Sequence, residues 1–291
     1  MMDDVSKRRT DALGGGRSSI LAASVLWSLS GVLTKSIDLD SGSIAFYRSL
    51  FAGLFLLFFI PAERRRFRAV MLPMAAIFGA MIGAYLASVK TTTAANAIFL
   101  QCSSTFWVVP LGYLLLRERP DSRSLLGVAL SMVGVVAIVG FGHGGTRSEW
   151  IGIALGLASG VGYALVVIGM RSLRELDPIW LSAVNNLGGA IFLGIWLTFV
   201  GQGIARPSLA EVGVLTIFGV VQMAIPYALF ARGLKHVDAT EAGLISLLEP
   251  ILNMIWVATF IGERPRPLTI VGGGFLLLGV VCRFLPRRSR A

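Results

Sequence analysis

Apolar residues in this chain fall in long unbroken runs, and polar residues gather in short clusters between them. A helix that crosses a bilayer takes about 20 mainly apolar residues. Ten segments meet that length: 18–37, 42–61, 70–89, 91–116, 122–141, 149–170, 178–200, 209–231, 239–261 and 267–285. The runs do not alternate with period two, so they predict helices and not the strands of a barrel. Segments such as Val70 to Val89 and Trp150 to Met170 carry no formal charge. Breakers sit at or near the ends of the runs: Pro61, Pro73, Pro120, Pro178, Pro207, Pro265 and Pro267. No linker is long enough to divide soluble domains. The polar stretch through Arg17 reads as a tail without a cleavable signal peptide, leading straight into the first span.

Composition agrees with the pattern. Of 291 residues, 55% are hydrophobic and 14% charged, against about 25% charged in a soluble domain. That balance excludes an ordinary soluble enzyme, and equally a disordered chain. The expected fold class is an all-α integral membrane protein. The net charge of +10 lies mostly in tracts between spans, which reads as topology and not as a nucleic-acid patch. With the N-terminus inside, the inner segments hold 19 Lys and Arg and the outer segments 6, while Arg48 lies within a span. The bias predicts cytoplasmic N- and C-termini on a multi-pass protein of the bacterial inner (plasma) membrane.

The chain also repeats itself. Lys90 through Glu118-Arg119-Pro120 to Gly134-Val135-Val136 matches Lys235 through Glu263-Arg264-Pro265 to Gly279-Val280-Val281 at an offset of 145 residues. Ala97 with Ala242 and Gly127 with Gly272 agree, and Trp27 with Tyr163 more weakly. The expected organisation is a tail over 1–17, a five-helix repeat over 18–142, a second over 149–286, and a tail over 287–291. Five is odd, so the second unit enters the membrane from the opposite side. Inverted repeats are the usual build of secondary carriers, with the substrate near the midplane between them. A duplicated bundle without transport is the plainer alternative.

Two halves that each end in an apolar run, a Glu-Arg-Pro turn and a Gly-rich last helix resemble the EamA branch of the drug/metabolite transporter superfamily. Leu248-Glu249-Pro250 and Phe46-Tyr47-Arg48 fit that pattern. The similarity covers roughly residues 18 to 286. Within the branch the chain is most similar to the bacterial YddG-type exporters of aromatic and other amino acids, which implies ten helices in two inverted repeats and amino-acid export. In one departure, Thr105 stands where the second repeat has Pro250, so the fourth span is expected to run straighter than the ninth.

The few polar residues inside spans are the candidates for chemistry. Ser246, Glu249 and Asn253 form one helical stripe, and their repeat-mates are Gln101, Ser104 and Val108. Both stripes are expected to line a central hydrated cavity. An acidic residue at mid-bilayer costs about 2.5–3.5 kcal/mol, so Glu249 needs a task. It binds a substrate amino group or exchanges protons; alternatively it bonds backbone donors freed near Pro250, or pairs with a basic side chain. Arg48 receives a substrate carboxylate, pairs with Glu249, or snorkels to the outer face or serves a structural role, the last two being the preferred reading. Trp27, Tyr85, Tyr163 and Tyr227 offer stacking faces, each with core or interfacial packing as the alternative. Asn185 and Asn186 read as helix bridges. Gln222 is a cavity candidate that shares a face with Pro226, and Pro226 and Pro250 are candidate hinges.

Other features carry less. Cys102 and Cys282 lie in apolar runs with no disulfide or metal spacing. His143 and His236 read as solvated loop residues. Gly152, Gly156 and Gly160, and Gly79 with Gly83, form small-residue stripes for close helix approach. Gly272-Gly273-Gly274 lacks the Lys-Ser/Thr of a phosphate loop. One clear intramembrane carboxylate and no intramembrane histidine give an enzyme no nucleophile–base pair or metal cluster, and no charge rings mark a channel. No catalytic residue, metal, cofactor or nucleic-acid partner is expected. The partners are a small solute and the lipid bilayer, and a monomer suffices. The sequence predicts an alternating-access carrier exporting amino acids, with organic cations or drugs as the alternative cargo.

Overall fold

The computed structural model describes residues 2–117, 122–141, 144–237, 242 and 245–284. The Glu118-Arg119-Pro120 turn, His143 and the tail over 287–291 lie outside the described residues. Among those described there is no strand. The helices are α1 (Met2–Trp27), α2 (Ser30–Ser36), α3 (Ser41–Phe58), α4 (Met71–Thr91), α5 (Ala94–Cys102), α6 (Ser104–Leu116), α7 (Ser122–Phe141), α8 (Arg147–Ser172), α9 (Pro178–Phe199), α10 (Leu209–Ile217), α11 (Ile225–Gly233), α12 (Leu248–Phe260) and α13 (Pro267–Phe284), with a π-helical segment, Phe218–Ala224, joining α10 to α11. Among the described residues, seven stretches are long and apolar enough to cross a membrane: Gly14–Ser36, Ser41–Phe58, Met71–Thr91, Ala94–Leu115, Arg147–Ser172, Pro178–Phe199 and Leu209–Gly233. The other three apolar segments hold shorter helices, Leu125–Phe141, Leu248–Phe260 and Pro267–Cys282. The polar stretch read as a tail is helical from Met2 onward, continuous with the first span.

Local chemistry sets the helix starts. Thr146 and Ser208 each accept the N–H of a glutamate three residues on, Glu149 and Glu211, whose carboxylates accept the N–H of the capping residue in return. Asp177 accepts the N–H groups of Ile179 and Trp180 ahead of Pro178, which at the first helical position forfeits no bond.

Several spans are not the continuous rods that the apolar runs suggest. The first breaks at Ser28–Leu29. Ser24 and Ser28 donate to the carbonyls of Ile20 and Val25, and such back-bonding competes with the helix ladder. The ninth breaks at Leu247, which leaves Pro250 in the first turn of α12, where a missing N–H is harmless. The fourth was expected to be straighter, yet it breaks at Ser103, the corresponding level. There Ser103 N–H bonds to Leu100 O and Phe106 N–H to Ser103 O, three-residue bonds that tighten the turn. Packing holds this break without a proline: Gly160 of α8 sits so close that a Cβ on it would lie 2.5 Å from Ser103 Oγ. The proline inside α6 is Pro110, further along. In the eighth span Ile225 N–H reaches back to Val220 O, the wide π register, just before Pro226.

Small residues set the closest helix contacts. α7 and α13 cross antiparallel, with Gly134 against Gly272 and Leu276, and Gly279 against Gly127 and Ser131. Gly79 of α4 meets Gly189 of α9, and Gly219 of the π segment meets the backbone of Arg48 and Ala52. α4 also packs on α8, α3 on α9, and α1 on α11. Large apolar side chains such as Phe58, Phe199 and Leu209 point outward, 83–90% exposed, while Arg48, Asn96, Gln222 and Asn253 are buried. That inverted distribution suits a lipid surround.

Candidate functional site

The helix breaks surround one cluster of buried polar side chains. Ser30, just past the first break, is hydrogen-bonded with Tyr85 (Oγ to Oη, 2.9 Å) and accepts from Asn253 Nδ2 of α12 at 3.0 Å. The break at Trp27 gives Gln222 Nε2 a backbone carbonyl to donate to, at 2.9 Å. Ser28 Oγ accepts from Trp256 Nε1 at 2.9 Å. The interrupted first span thus offers bonding groups to α4, to α12 and to the π segment.

Arg48 lies beside this network and is 2% exposed. It does not snorkel to an aqueous face, one of the two roles preferred from sequence. Gly219 lets the π segment close over its backbone, and its guanidinium carbon stands 4.8 Å from the Phe218 ring centroid. Its Nε and Nη1 are sealed from solvent and have no hydrogen-bond partner. The guanidinium interacts electrostatically with Tyr85, Tyr227 and Glu249. Glu249 also acts on Tyr85, Tyr163, Tyr227 and Cys102. Residues from α3, α4, α5, α8, α11 and α12 therefore share one electrostatic neighbourhood. Among the described residues Glu249 has no hydrogen bond and no ion pair, so neither structural alternative for it is present in this conformation.

The candidates divide by accessibility. Tyr85, Gln222 and Asn253 are sealed at 0–3% exposure and bonded to protein. Tyr163 is 41% exposed, and Trp27, Gln101, Tyr227, Ser246 and Glu249 are half-buried. Trp27 meets Tyr227 edge-on at 5.3 Å and packs against Phe230. Ser104 is buried at 8% exposure. The break at Leu247 splits the Ser246, Glu249, Asn253 stripe: Ser246 Oγ bonds back to Ala242 O, and Asn253 turns to α2. Pro226 and Pro250 are both buried beside their helix irregularities. The two amides read as helix bridges are not bridges here. Asn186 Nδ2 donates to Ser182 O of its own helix, and the Oδ1 atoms of Asn185 and Asn186 are buried without partners. His236 is exposed, and both cysteines are free. A cavity of about 330 Å³ between α6 and α7, lined by Phe106, Val109, Pro110, Tyr113, Leu125 and Val128, shares no residue with the polar cluster.

Sequence reading missed Ser30 and Phe218. Ser30 is one of several serines in its span, and its partner Tyr85 is 55 residues away. Phe218 looks like any core aromatic.

One end of the cluster is tied shut. Lys35, at the end of α2, pairs with Glu263 and donates to Thr92 O at 3.2 Å. Glu263 accepts the Ala94 N–H at the start of α5 at 2.6 Å, and Lys90 Nζ donates to Ile37 O at 2.6 Å. A Glu263→Ala variant frees an ammonium and a helix-start N–H together. Hydrogen bonds to charged groups contribute about 1.5–3 kcal/mol, so the variant is expected to melt measurably below the parent in detergent, with Glu263→Gln falling between.

The chain matches the EamA-like transporter family over residues 15–140 and again over 150–285. It is 28% identical to an uncharacterized transporter of Archaeoglobus fulgidus over 91% of this chain and 95% of that one. It is 27% identical to an S-adenosylmethionine/S-adenosylhomocysteine transporter of Chlamydia muridarum, over 89% and 88%. A probable terminal-alkyne amino-acid exporter of Streptantibioticus cattleyicolor is 26% identical over 79% and 80%. A protein of known crystal structure, 16% identical, superposes with a TM-score of 0.65 over 94% of this chain and 97% of its own, a likeness of fold alone. With both stretches matched and its apolar helices in place, the chain belongs to the EamA-like transporter family.

Proposed function

We propose that this protein is a carrier that exports amino acids, aromatic and other neutral ones and related metabolites, by alternating access through a cavity between two inverted five-helix repeats. The observation that carries this reading is the gathering of helix breaks at Ser28–Leu29, Ser103, Leu247 and the π segment around one polar cluster. Irregular backbone at membrane depth is tolerated where it is buried in protein or lines a cavity, and carriers place their sites at such breaks. The antiparallel α7–α13 crossing supports the repeat. Gly127 and Gly272 are mates, as are Gly134 and Gly279, so the Gly134–Gly272 and Gly127–Gly279 contacts are images of each other under a twofold axis.

In this reading ten spans place both termini in the cytoplasm of a bacterial inner membrane. Residues 18–142 and 149–286 form the repeats. The Lys35–Glu263 tie then closes the outer end, and the half-exposed Trp27, Tyr163, Tyr227 and Gln101 face a vestibule open to the cytoplasm. Glu249 meets the solute's ammonium, and aromatic walls suit a YddG-type cargo. The two relatives named for S-adenosylmethionine/S-adenosylhomocysteine and for terminal-alkyne amino acids both handle solutes with an α-amino acid group, which favours the same head group here. Reconstituted protein should move labelled phenylalanine in preference to quaternary ammonium solutes. Transport of the cations without the amino acids would reverse the assignment.

A further inference from the structure

We propose that Arg48 receives the carboxylate of the transported solute, so that the carrier selects for a free acid group. The inference rests on the amino-acid reading above and deepens it.

Arg48 is the one Lys or Arg well inside a span, and it is 2% exposed. An unpaired guanidinium at this depth is costly, and leaving its donors unbonded adds to the cost. Yet Nε and Nη1 have no partner, and no salt bridge joins Arg48 to Glu249 among the described residues. The Phe218 face at 4.8 Å holds the guanidinium in place without consuming an N–H. The Tyr85 hydroxyl is engaged with Ser30, and the amide nitrogens of Asn253 and Gln222 with Ser30 and the Trp27 carbonyl, while the amide oxygens of Asn253 and Gln222 are buried without a partner and make no bond to Arg48. The site thus contains a planar guanidinium, fixed by an aromatic ring, whose Nε and Nη1 donors lack an acceptor. A carboxylate is the group whose oxygens match an edge of a guanidinium.

Charge placement gives the polarity of the bound solute. Arg48 on α3 and Glu249 on α12 act on each other electrostatically without collapsing into a pair. A zwitterion set between them neutralises both charges at once. A simple organic cation satisfies Glu249 and leaves Arg48 buried and bare. That asymmetry separates α-amino acids from amines of the same shape.

The test compares phenylalanine with phenylalaninamide, which keeps the ring and the amino group and lacks the acid. Binding is read as stabilisation against heat in detergent, and transport as counterflow in liposomes. For the parent protein, phenylalanine is expected to bind about 10- to 100-fold more tightly than the amide, the range that a hydrogen-bonded charge supplies. Arg48→Gln should remove most of that difference by weakening phenylalanine while leaving the amide within about threefold, and Arg48→Lys should recover part of it. Equal affinity of the parent for acid and amide would overturn the proposal, as would an Arg48→Gln variant that weakens both alike. The parent comparison decides even where the variants do not fold. A parent that moves neither compound but moves quaternary amines would defeat the amino-acid reading itself, and this inference with it.

Discussion

A Gly134→Leu variant is expected to lose its folded form. A Cβ at Gly134 would stand 2.4 Å from Gly272 O and 2.9 Å from Leu276 N, both backbone atoms of α13 that cannot rotate away. The reciprocal position is as tight: a Cβ on Gly272 would lie 2.7 Å from Gly134 O. Overpacking of a well-packed contact costs about 1–3 kcal/mol, and more when the backbone must shift. In a membrane, close approach at small residues is itself a main source of helix association, so the leucine removes an attraction while adding a clash. The matched control is Gly274→Leu in the same glycine run, where nothing lies within 4 Å of the added Cβ. Size-exclusion melting in detergent should show a monodisperse Gly274→Leu protein and an aggregated or strongly destabilised Gly134→Leu protein. Equal behaviour of the two would mean that α7 and α13 do not meet at these glycines.

The second large effect is on transport. Glu249→Gln keeps the shape of the side chain and removes a charge that has no hydrogen bond or ion pair among the described residues. Amino-acid flux is expected to fall at least about tenfold, because the solute's ammonium loses a charged acceptor. Folding should be affected little, since no hydrogen bond of the carboxylate is lost. Measuring flux with and without a pH gradient separates the two tasks of a membrane carboxylate. If the variant loses its response to the gradient, Glu249 carries protons. If the response is unchanged, Glu249 binds solute only. Flux equal to the parent's would remove Glu249 from the site.

The sequence made the class of fold legible because membrane helices are written in composition and length, which need no knowledge of neighbours. The family was legible for a related reason: the Glu-Arg-Pro turns and glycine-rich ends recur at a fixed offset within one chain. Helix continuity was harder to read. Ser28 and Ser103 look like ordinary small residues in an apolar run, and only their bonds and the glycine packed on Ser103 turn them into breaks. The stripe of Ser246, Glu249 and Asn253 follows helical spacing, but spacing does not show the interruption at Leu247 or that Ser246 bonds within its own segment while Asn253 bonds to α2. Arg48 shows the same limit. Its distance from the helix start is a sequence fact that suggested snorkelling, whereas its burial depends on Gly219 and Phe218, about 170 residues later in a different helix.

The central claim is that two related units lie in the membrane with opposite orientation. Its most direct test places single cysteines at Arg119 and Arg264, the matching positions of the two Glu-Arg-Pro turns, in a protein whose Cys102 and Cys282 are replaced. Intact cells are treated with a membrane-impermeant thiol reagent before and after permeabilisation. The account predicts that the cysteine at 264 reacts in intact cells and the cysteine at 119 only after permeabilisation. Reaction of both from the same side would contradict it.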